Sequence, residues 1–333
     1  MLEAENYFLK DAKERERIDC AYESRRFTFA QIGNDPALVS FYTGLPVPAF
    51  ELLLSCLEKA ELKYTFGWNV EKLKLEDQLL LMLYKLRHNP MNLDLSVRFN
   101  VSETCVAAVF RTILSAVHQI LGALHAEVGI PSVEKNQTST PVCFAKFPGT
   151  RLILDCTEIE CDVPRQDMTE QRQSFSHYKQ RNTYKALVGV APNGTITFVS
   201  DLYMGSASDK EVTLRSGLLG HLKPGDLIVA DKGFTIQSIL PDGVHLNIPP
   251  RLMHPQFTPS ENQLTTDIAR ARIHVERAIE RVEGFHTFTH VPHHLRSSIT
   301  TIFQVCAWLV NLQKPALLKE SRASTFSHMC PTI

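Results

Sequence analysis

No surplus of either charge marks this 333-residue chain, in which 35 Lys and Arg stand against 36 Asp and Glu for a formal charge of -1. That balance excludes a wholly disordered polyelectrolyte and a histone-like tail, and it argues against coating nucleic acid by bulk electrostatics. A locally basic groove is still compatible with it. No stretch reaches the roughly 18 uninterrupted apolar residues of a membrane span; the longest runs, such as Leu79 to Leu83, are short. The N-terminus, MLEAENYFLKDAKERERIDC, is charged and carries no apolar core of signal-peptide length. No CxxC pair occurs among Cys20, Cys56, Cys105, Cys143, Cys156, Cys161, Cys306 and Cys330. Scattered cysteines without a secretion signal read as reduced thiols, not as a zinc ribbon or disulfide framework. The expectation is therefore an intracellular chain, in the nucleus with the cytoplasm kept open, because Arg25-Arg26 and the Lys10 to Arg17 charge mix are poor import signals.

What is present is the composition of an ordinary globular protein, 44% hydrophobic and 21% charged. The expected organisation is a charged leader over 1–40, a helical region over 41–125, a Pro/Ser/Thr/Gly-rich linker over 126–149, an α/β domain over 150–320 and a tail over 321–333. In the helical region, 47–62 reads as a helix with Phe50, Leu53, Leu54 and Leu57 on one face, and Leu75 to Leu86 as a leucine-dense buried one. Leu93, Leu95 and Phe99 suit a short helix, and Asn100-Val101-Ser102 a tight turn. Ser102 caps a helix to about Leu121, with Val101 and Val106 as a hydrophobic staple. The pair reads as a helix-turn-helix, which can place its second helix in a DNA major groove. The positions left to face DNA, Glu103, Thr104, Ala107, Ala108 and Arg111, are thin for that task, so a plain helical packing unit is an equal reading.

After residue 149 the grammar changes. Arg151 to Asp155, Tyr184 to Val190 and Thr195 to Asp201 read as strands, the last two joined by a turn at Asn193-Gly194. Ser208-x-x-Glu211 opens a helix to about Leu219 as a capping box. Leu227 to Asp231 and Val244 to Ile248 are two more strands, and helices cover about 262–284 and 298–312. That order predicts an α/β mixed sheet flanked by helices, preceded by an all-α region.

Three acids stand where acids are awkward unless used. Asp155 and Asp231 end apolar strands, and Glu276 sits at the edge of the stripe Ile268, Ala271, Val275, Ile279 and Val282. Singly, each is an ordinary solvated or salt-bridged carboxylate. Brought together they would repel unless cations neutralised them, and hard oxygen ligands select Mg²⁺ or Mn²⁺. A pair of such ions can drive phosphodiester displacement.

At these residues the chain resembles the DDE endonucleases derived from PIF/Harbinger-type transposases. The likeness runs from about Thr43 to Leu318 and rests on ordered blocks. They are Asp155-Cys156-Thr157-Glu158-Ile159, Tyr178-Lys179-x-x-Asn182-Thr183 with Lys185, and Val188 to Gly194. Ser208-Asp209-Lys210-Glu211, Gly225-Asp226, Asp231-Lys232-Gly233-Phe234 and Leu246 to Pro250 follow. The last are Arg272 to Ile279 and Asn311-Leu312. The resemblance implies an RNase H-like fold and metal-dependent DNA cleavage, with Asp155, Asp231 and Glu276 as the metal-binding triad and Asp209 as an additional acidic ligand. The sequence departs from the family at Glu283, where a basic residue is common, and at Lys232, where Arg is frequent. It also has no CxxC for the zinc finger that many relatives carry upstream.

Lys179, Arg181 and Lys185, with Lys232, Arg272, Arg277 and, on the second helix of the helix-turn-helix, Arg111, are the candidate DNA contacts. Arg270, His274, Arg277 and Arg281 share one helical face, where pairing with Glu280 and Glu283 competes with tracking a DNA backbone. His286, His290, His293 and His294 read as a surface loop rather than a zinc site. The sequence leaves three functions in play: a DDE nuclease acting on DNA, a domesticated scaffold that keeps the fold without cleavage, and a hydrolase of another phosphodiester. Balanced charge adds the expectation that a separate DNA-targeting protein, or a homo-oligomer, supplies DNA affinity.

Overall fold

The computed structural model describes residues 26–64, 70–165, 167–250, 256 and 258–313, so most of the charged leader and the tail lie outside the described residues. The chain divides into two compact units after Val117.

The first unit is helical: α1 (Phe29–Ile32), α2 (Pro36–Thr43), α3 (Val47–Leu57), α4 (Leu75–His88), α5 (Asn92–Phe99) and the start of α6 (Glu103–Val128). Asp35 caps α2 by accepting from the Ala37 and Leu38 amides, Pro36 supplies the first helical φ, and Gly44 ends the helix at φ 74°. Helix α4 is buried on all sides through its middle, where Leu79 through Leu83 are fully buried, as the leucine run predicts. Between α5 and α6, Asn100 adopts a left-handed φ of 51°, the Val101 amide donates to Ser96 O, and Ser102 Oγ accepts from the Cys105 amide. The helix-turn-helix therefore forms as expected. Over Glu103–Val117 its second helix exposes Glu103, Thr104, Arg111 and Ser115, whereas Ala108 is buried, because α6 packs more than half its circumference into the core. Helix α6 has the length and hydropathy of a membrane span, but 56% of its most apolar window is buried inside the protein, as in a core helix.

The second unit carries the end of α6, α7 (Val133–Gln137) and a seven-stranded sheet. The stretch read as a linker thus holds a helix capped by Ser132 and a 3₁₀ turn at Val142–Phe144. After it come β1 (Thr150–Glu160), α8 (Met168–Ser174), β2 (Phe175–Ser176), β3 (Arg181–Val190), β4 (Ile196–Val199) and β5 (Tyr203–Met204). They are followed by α9 (Asp209–Arg215), β6 (Leu227–Ala230), β7 (His245–Asn247), α10 (Pro259–Glu283) and α11 (Ile299–Leu312). Strand β1 pairs antiparallel with β3 and parallel with β6, β6 pairs parallel with β7, and β2, β4 and β5 share the far edge of β3. This mixed sheet with flanking helices after a helical region, the arrangement that the strand order implied, is consistent with the α/β RNase H-like fold that the resemblance implied.

Several boundaries differ from the sequence reading for local reasons. Strand β1 runs on past Asp155 to Glu160, because β3 continues the antiparallel ladder from Val188 to Thr183. The β3–β4 turn is not a two-residue Asn-Gly turn: the Gly194 amide donates to Ala191 O, with Pro192 second in the turn and Gly194 at φ 87°. Helix α9 stops at Arg215, just before Gly217 turns left-handed at φ 81°. Helix α10 starts earlier than expected, where Thr258 and Glu261 form a capping box and Pro259 takes the first position. The short elements α8, β2 and β5 carry no periodic signal and were not foreseen.

Candidate active site

Successive side chains of a strand point to opposite sides of the sheet. In β1, Leu152 and Leu154 join the core that includes Val212 of α9, and Cys156 packs against the same core. Asp155 and Thr157 face the other way, towards α10, where Thr157 Oγ1 donates to Glu283 Oε1 at 2.8 Å. The parallel ladder between β1 and β6 ends at Leu154↔Ala230. The next residue on each strand is an acid, Asp155 and Asp231, so the backbone itself sets these two side by side. Asp155 is therefore in mid-strand on its β3 side and at a ladder end on its β6 side, not at the end of its strand.

Helix α10 supplies the remaining groups. Its buried stripe includes Ile268, Ala271, Val275, Ala278, Ile279 and Val282, which presents Arg272 and Glu276, one turn apart, beside the strand ends. The Arg272 guanidinium meets all three acids: Nη1 lies 2.9 Å from Asp231 Oδ1, and Nη2 lies 3.4 Å from both Asp155 Oδ2 and Glu276 Oε1. Arg272 and Asp155 are largely buried, while Asp231 and Glu276 are about half exposed, so the site opens to solvent on one side. Burial pushes the Asp155 carboxyl up to about 6. Arg272 and the Cys156 amide, which donates to Asp155 Oδ1 at 2.9 Å, oppose that rise, and the charges of Asp231 and Glu276 add to it.

The structure thus gathers Asp155, Asp231 and Glu276 around one cation. Asp209 is not with them. It lies on the α9 side, where Lys185 Nζ reaches Asp209 Oδ1 at 3.3 Å, Glu158 Oε1 at 3.2 Å and Ala207 O at 3.0 Å. Glu158 stands directly opposite Lys185 in the β1–β3 register, and Glu158 Oε2 also accepts from Thr183 Oγ1 at 2.9 Å. Burial pulls the Lys185 ammonium down, but Asp209 and Glu158 outweigh it and leave Lys185 raised. Lys185 is consumed by this buried network and is not available to a DNA phosphate.

The other candidate contacts are dispersed. Lys232 is exposed immediately after Asp231. Lys179 and Arg181 are exposed at the β2–β3 connection, where Arg181 pairs with Glu160. Arg277 is exposed beside the Asn193–Thr195 turn. Arg111 is exposed on α6 in the first unit. The face of Arg270, His274, Arg277 and Arg281 does not form a free basic track. His274 is buried with its Nε2 3.3 Å from Cys143 Sγ, and Arg281 Nη2 donates to Val310 O at 2.6 Å. His290 lies 2.7 Å from Asp162 Oδ1, and the His293 amide caps the same carboxylate. Periodicity could not have revealed the Glu158–Lys185 pair, which depends on strand register, or the Thr157–Glu283 pair, which depends on how α10 lies against β1. The one signal for Glu283 is its spacing of two helical turns from Glu276.

Among the described residues, no three His, Cys, Asp or Glu side chains stand close enough to share one ion as they are placed. The donor chemistry of the trio nonetheless suits a hard divalent cation: three carboxylates, each already 2.9–3.4 Å from a single positive group.

Residues 154–311 match the family described as DDE superfamily endonuclease, and residues 71–123 match the helix-turn-helix of DDE superfamily endonuclease. No curated protein and no solved structure matches the chain. The two matched stretches support a DDE superfamily endonuclease derived from a transposase, and both point to DNA binding.

Proposed function

We propose that this transposase-derived DDE chain is of the PIF/Harbinger type and hydrolyses DNA phosphodiesters with the help of Mg²⁺ or Mn²⁺ held by Asp155, Asp231 and Glu276. The observation that carries the reading is the convergence of these three carboxylates on one guanidinium, within the stretch matched as an endonuclease. When bound, the divalent ions supply Lewis-acid polarisation of the phosphodiester and neutralise charge on its oxygens. The chain's own residues do the positioning. Paired strands fix Asp155 and Asp231, α10 brings Glu276 from the side, and Lys232 offers an exposed positive charge next to Asp231. Lys179, Arg181 and Arg277 extend phosphate contacts over the second unit, and Arg111 does so from the helix-turn-helix. The product strand would end in a 3′-hydroxyl, the group that attacks target DNA if strand transfer follows. Because acidic residues balance the basic ones along the chain, a separate DNA-targeting protein or a second copy of the chain supplements DNA affinity, and the nucleus is the place of action.

Purified protein is expected to nick supercoiled plasmid with Mn²⁺, and Asp231→Asn to reduce nicking at least a hundredfold, about the loss seen when a charge-stabilising group is removed. Nicking that persists in that variant would sink the assignment. The second reading, a scaffold that keeps the fold without cleavage, draws on Arg272, which already supplies positive charge to the trio. A calorimetric titration of the full chain with Mn²⁺ that shows no binding would favour it.

A further inference from the structure

The trio's neighbourhood is underneutralised. Asp155, Asp231 and Glu276 surround a single guanidinium, and Glu283 is held against Thr157 on the same side of the sheet. The guanidinium reaches the three carboxylates through its two terminal nitrogens alone, with Nη2 shared between two of them. Two of its three contacts are accordingly long, at 3.4 Å. The Arg272 Nε is buried and has no hydrogen-bond partner. A buried N–H left unpaired marks a side chain held by its tip alone, because native folds seldom tolerate such a group without a use for it. The contrast with Lys185 is direct: that ammonium has three acceptors within 3.3 Å for its three protons.

We propose that Arg272 is a displaceable internal counter-ion: it holds Asp155, Asp231 and Glu276 together until a divalent cation takes over their charge, and it competes with that cation for them. The inference rests on the trio being the metal site. Arg272 is then a positioning residue whose removal has two opposite effects. Without an ion, three carboxylates lose the one positive partner they share among the described residues, and the fold loses stability. With an ion, a competitor is gone and binding tightens. A merely structural arginine would give only the first effect.

The test is Mn²⁺ titration by calorimetry of the full chain as wild type, Arg272→Gln and Arg272→Lys, with melting temperatures recorded with and without Mn²⁺. Arg272→Gln is expected to melt lower without metal, to gain more on adding Mn²⁺, and to bind Mn²⁺ on the order of tenfold tighter, what one competing charge a few ångströms away is worth at a half-exposed site. Arg272→Lys keeps the charge but not the fork and is expected to fall between, which preserves the test if the glutamine variant does not fold. Mn²⁺ binding by wild type with equal or weaker binding by both variants overturns the inference and leaves the nuclease reading standing. Binding by a variant but not by wild type supports it. Absence of binding in all three chains overturns both.

Discussion

On the α9 side of the sheet, one buried lysine serves two carboxylates and a carbonyl and has no proton to spare. On the α10 side, one arginine is stretched across three carboxylates, two of them half exposed. Both clusters draw on the same strand, since Glu158 and Asp155 leave β1 in opposite directions. A polar cluster buried for the sake of the fold is closed and fully satisfied, because each missing partner costs heavily away from water. The Arg272 cluster is neither closed nor satisfied, and that difference, more than the presence of acids, separates a structural network from a site that can accept something else.

The largest effect that would sharpen this contrast is on the closed side. Lys185→Met leaves Glu158 and Asp209 without their cation, and chemical denaturation is expected to show a loss of about 3–5 kcal/mol. A loss below about 1 kcal/mol would mean that this network is no tighter than the open one. The next effect is on the open side and depends on pH. The Asp155 carboxyl is raised to about 6 in the folded chain, chiefly by burial. Its protonated form is thus favoured by folding, so its contribution is fully present below the usual carboxylate range and is lost as pH rises through about 6. Without metal, stability should decline between pH 4 and 7 by on the order of 2 kcal/mol from this group, and Asp155→Asn should flatten the slope. An unchanged slope in melting curves of the variant would break the comparison. The smallest effect concerns Asp209. Asp209→Asn should leave Mn²⁺ affinity within about twofold, since its carboxylate pairs with Lys185 and not with Arg272. A loss as large as that from Asp231→Asn would return Asp209 to the metal site.

Much of this was legible in the sequence. The apolar runs ending at Asp155 and Asp231, the stripe that places Glu276 at its edge, and the Ser102 cap all follow from local periodicity and capping chemistry, and the structure repeats them. Asp209 could not be placed that way. Its nearness to the second acid along the chain says nothing about which side of a strand it meets, and β1–β3 register decides that. Lys185 reads as a phosphate ligand from residue type alone, because its two acidic partners lie 24 and 27 positions away in sequence. The four-residue basic face of α10 dissolved for a similar reason: helical spacing defines a face, but packing against Phe144 and Val310 decided what covered it.

The parallel step from Leu154↔Ala230 has one more consequence. Two of the three acids ride on adjacent strands whose spacing is dictated by the ladder, and the third rides on a helix that reaches them only through side chains. Backbone pairing sets the spacing of Asp155 and Asp231, whereas the position of Glu276 depends on how the buried stripe of α10 seats on the sheet. Substitutions in that stripe therefore bear on the third carboxylate and leave the first two where the ladder holds them.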